Sequence, residues 1–477
     1  MSSRNIVVVV GAGPAGLACA AELVEKRSDV SVTVIEKDQV YVGGIARTVE
    51  YKGFRFDIGG HRFFSKNKEI SQWWADRMGK EFISVNRLSR IFYRGVFFDY
   101  PLKAMNALLG LGIGTSILCI LSYLKSKVLP VRPEKSFQDW VSNRFGKKLF
   151  SIFFKTYTEK VWGMPCEQIS ADWAAQRIKG LSLSGAIWNS LFPKKPKTGG
   201  EVVKTLIDRF QYPRLGPGQM WEKTRDDILN KGGEVWMGQE VVKLTREGCR
   251  IVSVTTRDAQ GQEKIFAGDE FIVTMPLRET ILRISPPVED SVLIAARNLT
   301  YRDFLTVALM IRKTDLFADN WIYVHDPSVR LGRIQNFNNW SPSLIPEKEV
   351  TCLGLEYFCF EGDDLWNMAD ADLIALGKKE VEQLGFVKSG EVFDGAVVRI
   401  PKAYPVYGPG YQEDVEKIRR QIHGFENLQV VGRNGMHKYN NMDHSMLSAL
   451  LAARRLSGGK LDPWNVNSDA EYHEEAK

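Results

Sequence analysis

Ile6-Val7-Val8-Val9-Val10-Gly11-Ala12-Gly13-Pro14-Ala15-Gly16 decides the fold. Five β-branched residues in a row suit a strand buried on both faces, as in a parallel sheet. Glycines then turn the chain, and Leu17, Ala20, Ala21 and Leu23 follow in a helical pattern. A second apolar run, Val30 to Ile35, ends in Glu36, 20 positions past Gly16. Strand, glycine turn, helix, strand and acid make a βαβ unit with a dinucleotide fingerprint. Gly11, Gly13 and Gly16 allow a tight turn and close approach to a pyrophosphate, with Pro14 and Ala15 opening the helix. Glu36, followed by Lys37, is placed to bond the adenosine ribose.

The stretch that follows favours FAD over NAD. Gly43-Gly44-Ile45-Ala46-Arg47 comes soon after Glu36, and Gly59-Gly60-His61 comes next. Paired glycines let backbone pass close to a flat ring system, because no Cβ intervenes. One GxGxxG is present, and a reductase carrying two nucleotides needs a second. A tightly held flavin served by an external reductant is therefore expected.

A third element lies near the other end. Val430-Val431 reads as a short strand leading through Gly432 and Arg433 to Tyr439, Asn440 and Asn441, then to a helix beginning near Asp443 with the aspartate as its N-cap. Helix N-termini and arginine side chains both favour anions. Met442, Asp443 and Ser445 at this helix start are further candidates for cofactor contact.

A chain of 477 residues is too long for one core and predicts two or three domains. Hydrophobic content of 44% and charged content of 25% are ordinary for a globular protein. A net charge of +7 suits anionic ligands or an acidic membrane surface but does not indicate a nucleic-acid binder. Six scattered cysteines without a CxxC read as reduced and structural. No leader-like segment precedes the first strand, so a cytoplasmic location is expected. Histidines and carboxylates form no HxxxH or HExxH pattern, so no metal is expected.

The overall fold class expected is α/β (α+β overall). A Rossmann-like FAD-binding domain is assembled from discontinuous segments: 1–92, about 200–280 and 395–460. A helical domain occupies about 93–199, an antiparallel β-sheet substrate domain about 281–394, and a loose tail 463–477. Strand candidates include Ile251–Thr256, Leu305–Ile311 and Thr351–Phe358. One stretch raises a membrane question: between Lys103 and Lys125, residues 104–124 carry no charge. Their length of 21 residues could span a bilayer. Three glycines and several polar residues leave buried or inter-subunit helices, and a peripheral membrane-facing surface, as the other readings.

Several separated blocks resemble UDP-galactopyranose mutase, particularly its eukaryotic type, within the superfamily of amine oxidases and protoporphyrinogen oxidase. Gly59-Gly60-His61 with Phe64-Ser65 is similar to its GGHxxFS block, and Tyr100-Pro101 to its YP pair. Trp162, Trp173 and Arg177 follow its VW, W and R positions. Tyr212-Pro213-Arg214 with Trp221 resembles its YPARGGTGxxW loop. Trp321-Ile322-Tyr323, Arg333 and Asn339-Trp340-Ser341-Pro342 resemble its WxYF…R…NYSP block. Arg433, Tyr439 and Asn441-Met442-Asp443-His444-Ser445 resemble its R…Y…NQDHS block. The matches run from residue 11 to about 450.

The resemblance implies a redox-neutral ring contraction of a sugar nucleotide, in cell-surface polysaccharide biosynthesis. In that family N5 of reduced FAD attacks the anomeric carbon and displaces a diphosphate. It implies Arg333 and Arg433 as diphosphate ligands, Tyr323, Tyr404, Tyr439 and Asn441 as their helpers, and His61 against the flavin. It also implies Tyr100, Lys103, Thr158, Trp162 and Arg177 as substrate contacts. Three positions depart from the family pattern: Lys103 stands for a glutamine, Thr158 for an asparagine and Met442 for a glutamine. These departures leave room for another nucleotide, for a polyprenyl-linked sugar, or for a true oxidoreductase of the amine oxidase or protoporphyrinogen oxidase type. A homo-oligomer is a further expectation.

Overall fold

The structure, a computed structural model, describes residues 4–100, 102–171, 209–459 and 461–467. Its organising element is a five-stranded parallel sheet. In spatial order the strands are Leu428–Val430, Glu270–Val273, Asn5–Val10, Val30–Ile35 and Glu234–Trp236. The first strand is central because its β-branched side chains suit burial on both faces. Val7 and Val9 point into one core with helices Pro14–Lys26 and Met442–Arg455. Val8 and Val10 point into another, beneath the antiparallel strands Glu240–Glu247 and Arg250–Arg257. Strand alternation thus gives one segment two cores, and each buried valine contributes roughly 1.5–3 kcal/mol.

A seven-stranded sheet covers the C-terminal edge of this unit. Its order is Val392–Pro405, Tyr301–Ile311, Thr351–Cys359, Arg333–Asn336, Trp321–Val324, Ser89–Tyr93 and Val96–Asp99. Neighbours are antiparallel except Trp321–Val324 and Ser89–Tyr93, which run parallel. Two expected domain boundaries move accordingly. Residues 395–405, grouped above with the nucleotide segments, form part of a long edge strand of this sheet. Residues 281–299, grouped with the sheet, instead carry the end of one helix, a short strand and a second helix, and their Ile281, Val292 and Ala295 pack beneath the parallel sheet. Amphipathic pattern locates such elements in a core but does not say which core.

The region after Asp99 is helical. Residues 104–124 do not form one long rod: Gly112, at φ +77°, separates Ala104–Leu111 from Ile113–Val128. Among the described residues no helix is long and apolar enough to cross a membrane. The pair is not buried either, since Leu109, Ile113 and Leu121 are exposed. Below it, Phe98, Phe137, Trp140, Phe150 and Trp162 form a separate core. Lys160 ties this region to the large sheet, donating to the carbonyls of Val324, Asp326 and Leu331 at 3.3, 2.7 and 2.9 Å. Burial lowers its pKa to about 8, because the ammonium has little water around it.

Candidate active site

A cavity of about 410 Å³ lies between the two sheets. At one end it is walled by Gly11, Gly13, Pro14, Ala15, Glu36 and Lys37. Gly44, Ile45 and Ala46 line the middle, followed by Gly59, Gly60 and His61. Arg333, Tyr404, Gly432, Arg433 and Tyr439 join them. The start of the last long helix contributes Asn441, Met442 and Ser445.

The first end is built largely of backbone. A Cβ on Gly11 would lie 2.2 Å from the Thr274 hydroxyl, and one on Gly44 would lie 3.3 Å from Gly13 Cα. Glu36 Oε2 accepts from the Ala12 N–H at 2.7 Å and Oε1 from the Asp38 N–H at 2.8 Å. Burial pushes its pKa up, while those two backbone bonds oppose the rise. The carboxylate is therefore pinned at the strand end where a ribose would meet it. Bare backbone beside a helix N-terminus, with an acid at the rim, fits a dinucleotide. Gly16, Gly43, Arg47 and Asp443 stand outside the cavity wall. A Cβ on Gly16 would lie 1.8 Å from Gly11 O, so this glycine seats the helix against the strand. Gly43 passes Trp221 closely, and Arg47 holds the adjoining loop through Asp38 at 3.1 Å.

The opposite end is cationic and aromatic. The Arg433 guanidinium lies 4.8 Å from the Tyr404 ring centroid and 4.1 Å from that of Tyr439. Its Nε donates to Ala403 O at 3.0 Å and its Nη1 to Asn440 O at 3.1 Å, while the buried Nη2 has no partner among the described residues. Arg333 is held differently: its Nε donates to Glu356 Oε2 at 2.9 Å, and Glu356 Oε1 accepts from Gln335 Nε2 at 2.8 Å. Gln335 also packs under Gly60, where a Cβ would come within 2.9 Å of its amide nitrogen. Burial first, then the fields of Arg333 and Arg433, lower the pKa of His61 to about 3. The imidazole is thus neutral, and its Nδ1 is buried. Burial raises the phenols of Tyr404 and Tyr157 above their usual range, so both stay protonated.

The expected N-cap shifts by two residues. Asn441 caps the helix, Met442 is its first residue, and Asp443 lies buried in the first turn. Burial raises the pKa of Asp443, and His444 and Ser65 oppose that rise. The anticipated substrate contacts do not converge on the cavity. Tyr323 stands behind Arg333, its partner across the strands, and its ring lies 4.8 Å from that of Tyr100. Lys103 is exposed and paired with Asp99 at 3.2 Å. Thr158 is buried on its helix, and Trp162 belongs to the helical core. Their helical spacing turns both inward. Trp173 and Arg177 lie outside the described residues. Sequence reasoning missed Glu356, Gln335 and Tyr157, whose ring stacks on His325 at 4.8 Å and 8°. No local motif marks these residues; only cross-strand and interdomain packing brings them to the site.

Fold and cavity together define an α/β protein of the dinucleotide-binding class, with an antiparallel sheet walling the far side of the cavity. Residues 9–77 match the NAD(P)-binding Rossmann-like domain family. Within that class the likeness is to UDP-galactopyranose mutase. A probable UDP-galactopyranose mutase from Klebsiella pneumoniae is 25% identical over 217 residues, 44% of this chain. The chain spans about half (54%) of that curated relative's length. The fold likeness is broader: a reduced UDP-galactopyranose mutase superposes with a TM-score of 0.80 at 20% identity, covering 97% of this chain and 98% of that one. A putative protoporphyrinogen oxidase from Exiguobacterium sp. 255-15 gives 0.68 at 15%, covering 96% and 99%. Putrescine oxidase bound to putrescine gives 0.61 at 14%, with the same coverage.

Proposed function

We propose that this chain is an FAD-dependent, mutase-like isomerase that interconverts the ring forms of a sugar carried on a diphosphate. The observation that carries this reading is the unbalanced charge of Arg433. Glu356 compensates Arg333, whereas the bonded guanidinium nitrogens of Arg433 meet neutral carbonyls and its buried Nη2 has no partner among the described residues. A half-buried cation with one guanidinium nitrogen buried and unpaired is costly, and an anionic ligand relieves that cost. A departing diphosphate carries the right charge, and donors already in place stabilise it without reorganisation. Arg433 would hold the diphosphate, with Tyr439 and Asn441 beside it. Arg333 would stand opposite, its angle fixed by Glu356.

The cavity residues fit FAD as the resident dinucleotide. Bound there, FAD supplies a nucleophile when reduced or a hydride acceptor when oxidised. His61, held neutral, can offer Nδ1 for one hydrogen bond without adding charge beside two arginines. No protein nucleophile is required. The parallel-sheet segments would bind FAD, and the helical region with the seven-stranded sheet would bind the sugar donor. A sugar nucleotide is the first substrate class, a polyprenyl-linked sugar the second, and an external reductant would keep the cofactor reduced. A cytoplasmic site of action agrees with that supply.

Glu356 also gives an oxidoreductase reading some support, because it leaves one unbalanced charge at the site instead of two. Calorimetric titration separates the two readings. Arg433→Ala should weaken binding of a nucleoside diphosphate by about 30-fold or more while retaining flavin. Unchanged affinity would refute the assignment of Arg433.

A further inference from the structure

The helical pair after Asp99 has its polarity inverted. In Ile113–Val128 the buried positions include Ser116 and Cys119, while Ile113, Ile117, Leu121 and Leu124 are exposed by 83%, 51%, 56% and 53%. The Ser116 hydroxyl donates to Leu108 O at 2.8 Å, using the polar side for packing within the pair. Among the described residues, eleven of the 21 exposed large hydrophobics fall between Met105 and Val131. Such a concentration on one surface marks an interaction site.

The surface is preformed. A Cβ on Gly110 would come within 2.6 Å of the Phe98 ring, and Cys119 joins the core of Phe137 and Trp140. The Lys148 N–H donates to the Ser122 hydroxyl at 3.0 Å, fixing the second helix to the body. Charge identifies the occupant. From residue 100 to residue 133 there is no Asp or Glu, but there are Lys103, Lys125, Lys127 and Arg132. Lys147 and Lys148 extend the exposed basic rim. In a two-fold dimer formed through this patch, like charges would face each other across the axis.

We propose that this helical pair seats the protein on one leaflet of an anionic bilayer, its apolar face in the acyl boundary and its basic rim among acidic headgroups. The break at Gly112 and the absence of a spanning helix among the described residues make this an in-plane contact. The inference is independent of the catalytic reading.

The test is co-sedimentation of the full chain with phosphatidylglycerol-containing or pure phosphatidylcholine vesicles. Sedimentation velocity without lipid accompanies it. The protein should pellet with the anionic vesicles. The double variant Ile117→Glu/Leu121→Glu should weaken binding at least about tenfold. Lys125→Glu/Lys127→Glu should erase the anionic preference, about fivefold for each lysine lost. Both pairs are exposed, so the circular dichroism spectrum and thermal midpoint should hold. No pelleting, or pelleting unchanged by the glutamate pair, overturns the proposal. Concentration-dependent self-association without vesicle binding also overturns it, assigning the patch to a second copy.

Discussion

Arg433 and Arg333 face the same cavity from unlike settings. Arg433 is gripped by carbonyls and by the rings of Tyr404 and Tyr439, so its planar shape matters as well as its charge. Arg433→Lys should therefore rescue little of the Arg433→Ala defect, and both should lower turnover by about 10²–10³-fold in steady-state assays. Arg333 depends on Glu356, which is fully buried. Replacing Glu356 by Gln breaks a buried pair and should cost about 3 kcal/mol in denaturant unfolding. These two arginines differ in legibility too. Arg433 follows a glycine and precedes a helix start, so its role is readable locally. Glu356 is opposite Arg333 only through the strand register, 23 positions further along the chain. Nothing in the linear chain announces that register.

At the scale of elements, close packing decides whether the cofactor end forms. Gly16→Ala would place a methyl 1.8 Å from a backbone oxygen that has no rotamer to escape into. We expect a loss of about 3 kcal/mol and poor flavin retention on gel filtration. The βαβ unit was legible because its signal is contiguous: a buried strand, glycines, a helix and an acid. The helical region was less so. Its apolar residues left burial, a span and a membrane-facing surface open, and Gly112 folds the stretch into two helices that turn Ser116 and Cys119 inward. Lys160 fastens that region to the sheet through three carbonyls. Lys160→Met strands those acceptors and should destabilise by several kcal/mol, at about 1–3 kcal/mol for each buried carbonyl.

The whole molecule carries a pH signature. Burial lowers the pKa values of His61 and His325 to about 3 and that of His437 to about 4. Their ordinary value is about 6.5. The unfolded chain therefore binds more protons in between. Their contribution is complete above pH ~6.5 and is lost as pH falls toward the folded values. Asp57 opposes them: burial raises its pKa to about 7, so its contribution is present at acid pH and fades as pH rises through that value. Glu36 and Asp443, also raised by burial, act with Asp57, but the three histidines carry the larger shifts, and the thermal midpoint should fall on acidification from pH 6.5 to 4. His325→Phe keeps the stack on Tyr157 and should flatten that fall. Turnover should show no inflection from His61 titration in the same range.

The reaction proposed for this cavity is redox-neutral and releases an anion. It is tested most directly by incubating the flavin-loaded protein anaerobically with a panel of sugar nucleotides, in dithionite-reduced and in oxidised form. Product mass and flavin absorbance are then followed together. The reduced protein should convert one substrate to an isomer of unchanged mass, while the oxidised protein keeps its colour. Bleaching of the oxidised flavin by a substrate that emerges two hydrogens lighter, with no isomer formed by the reduced protein, would contradict it.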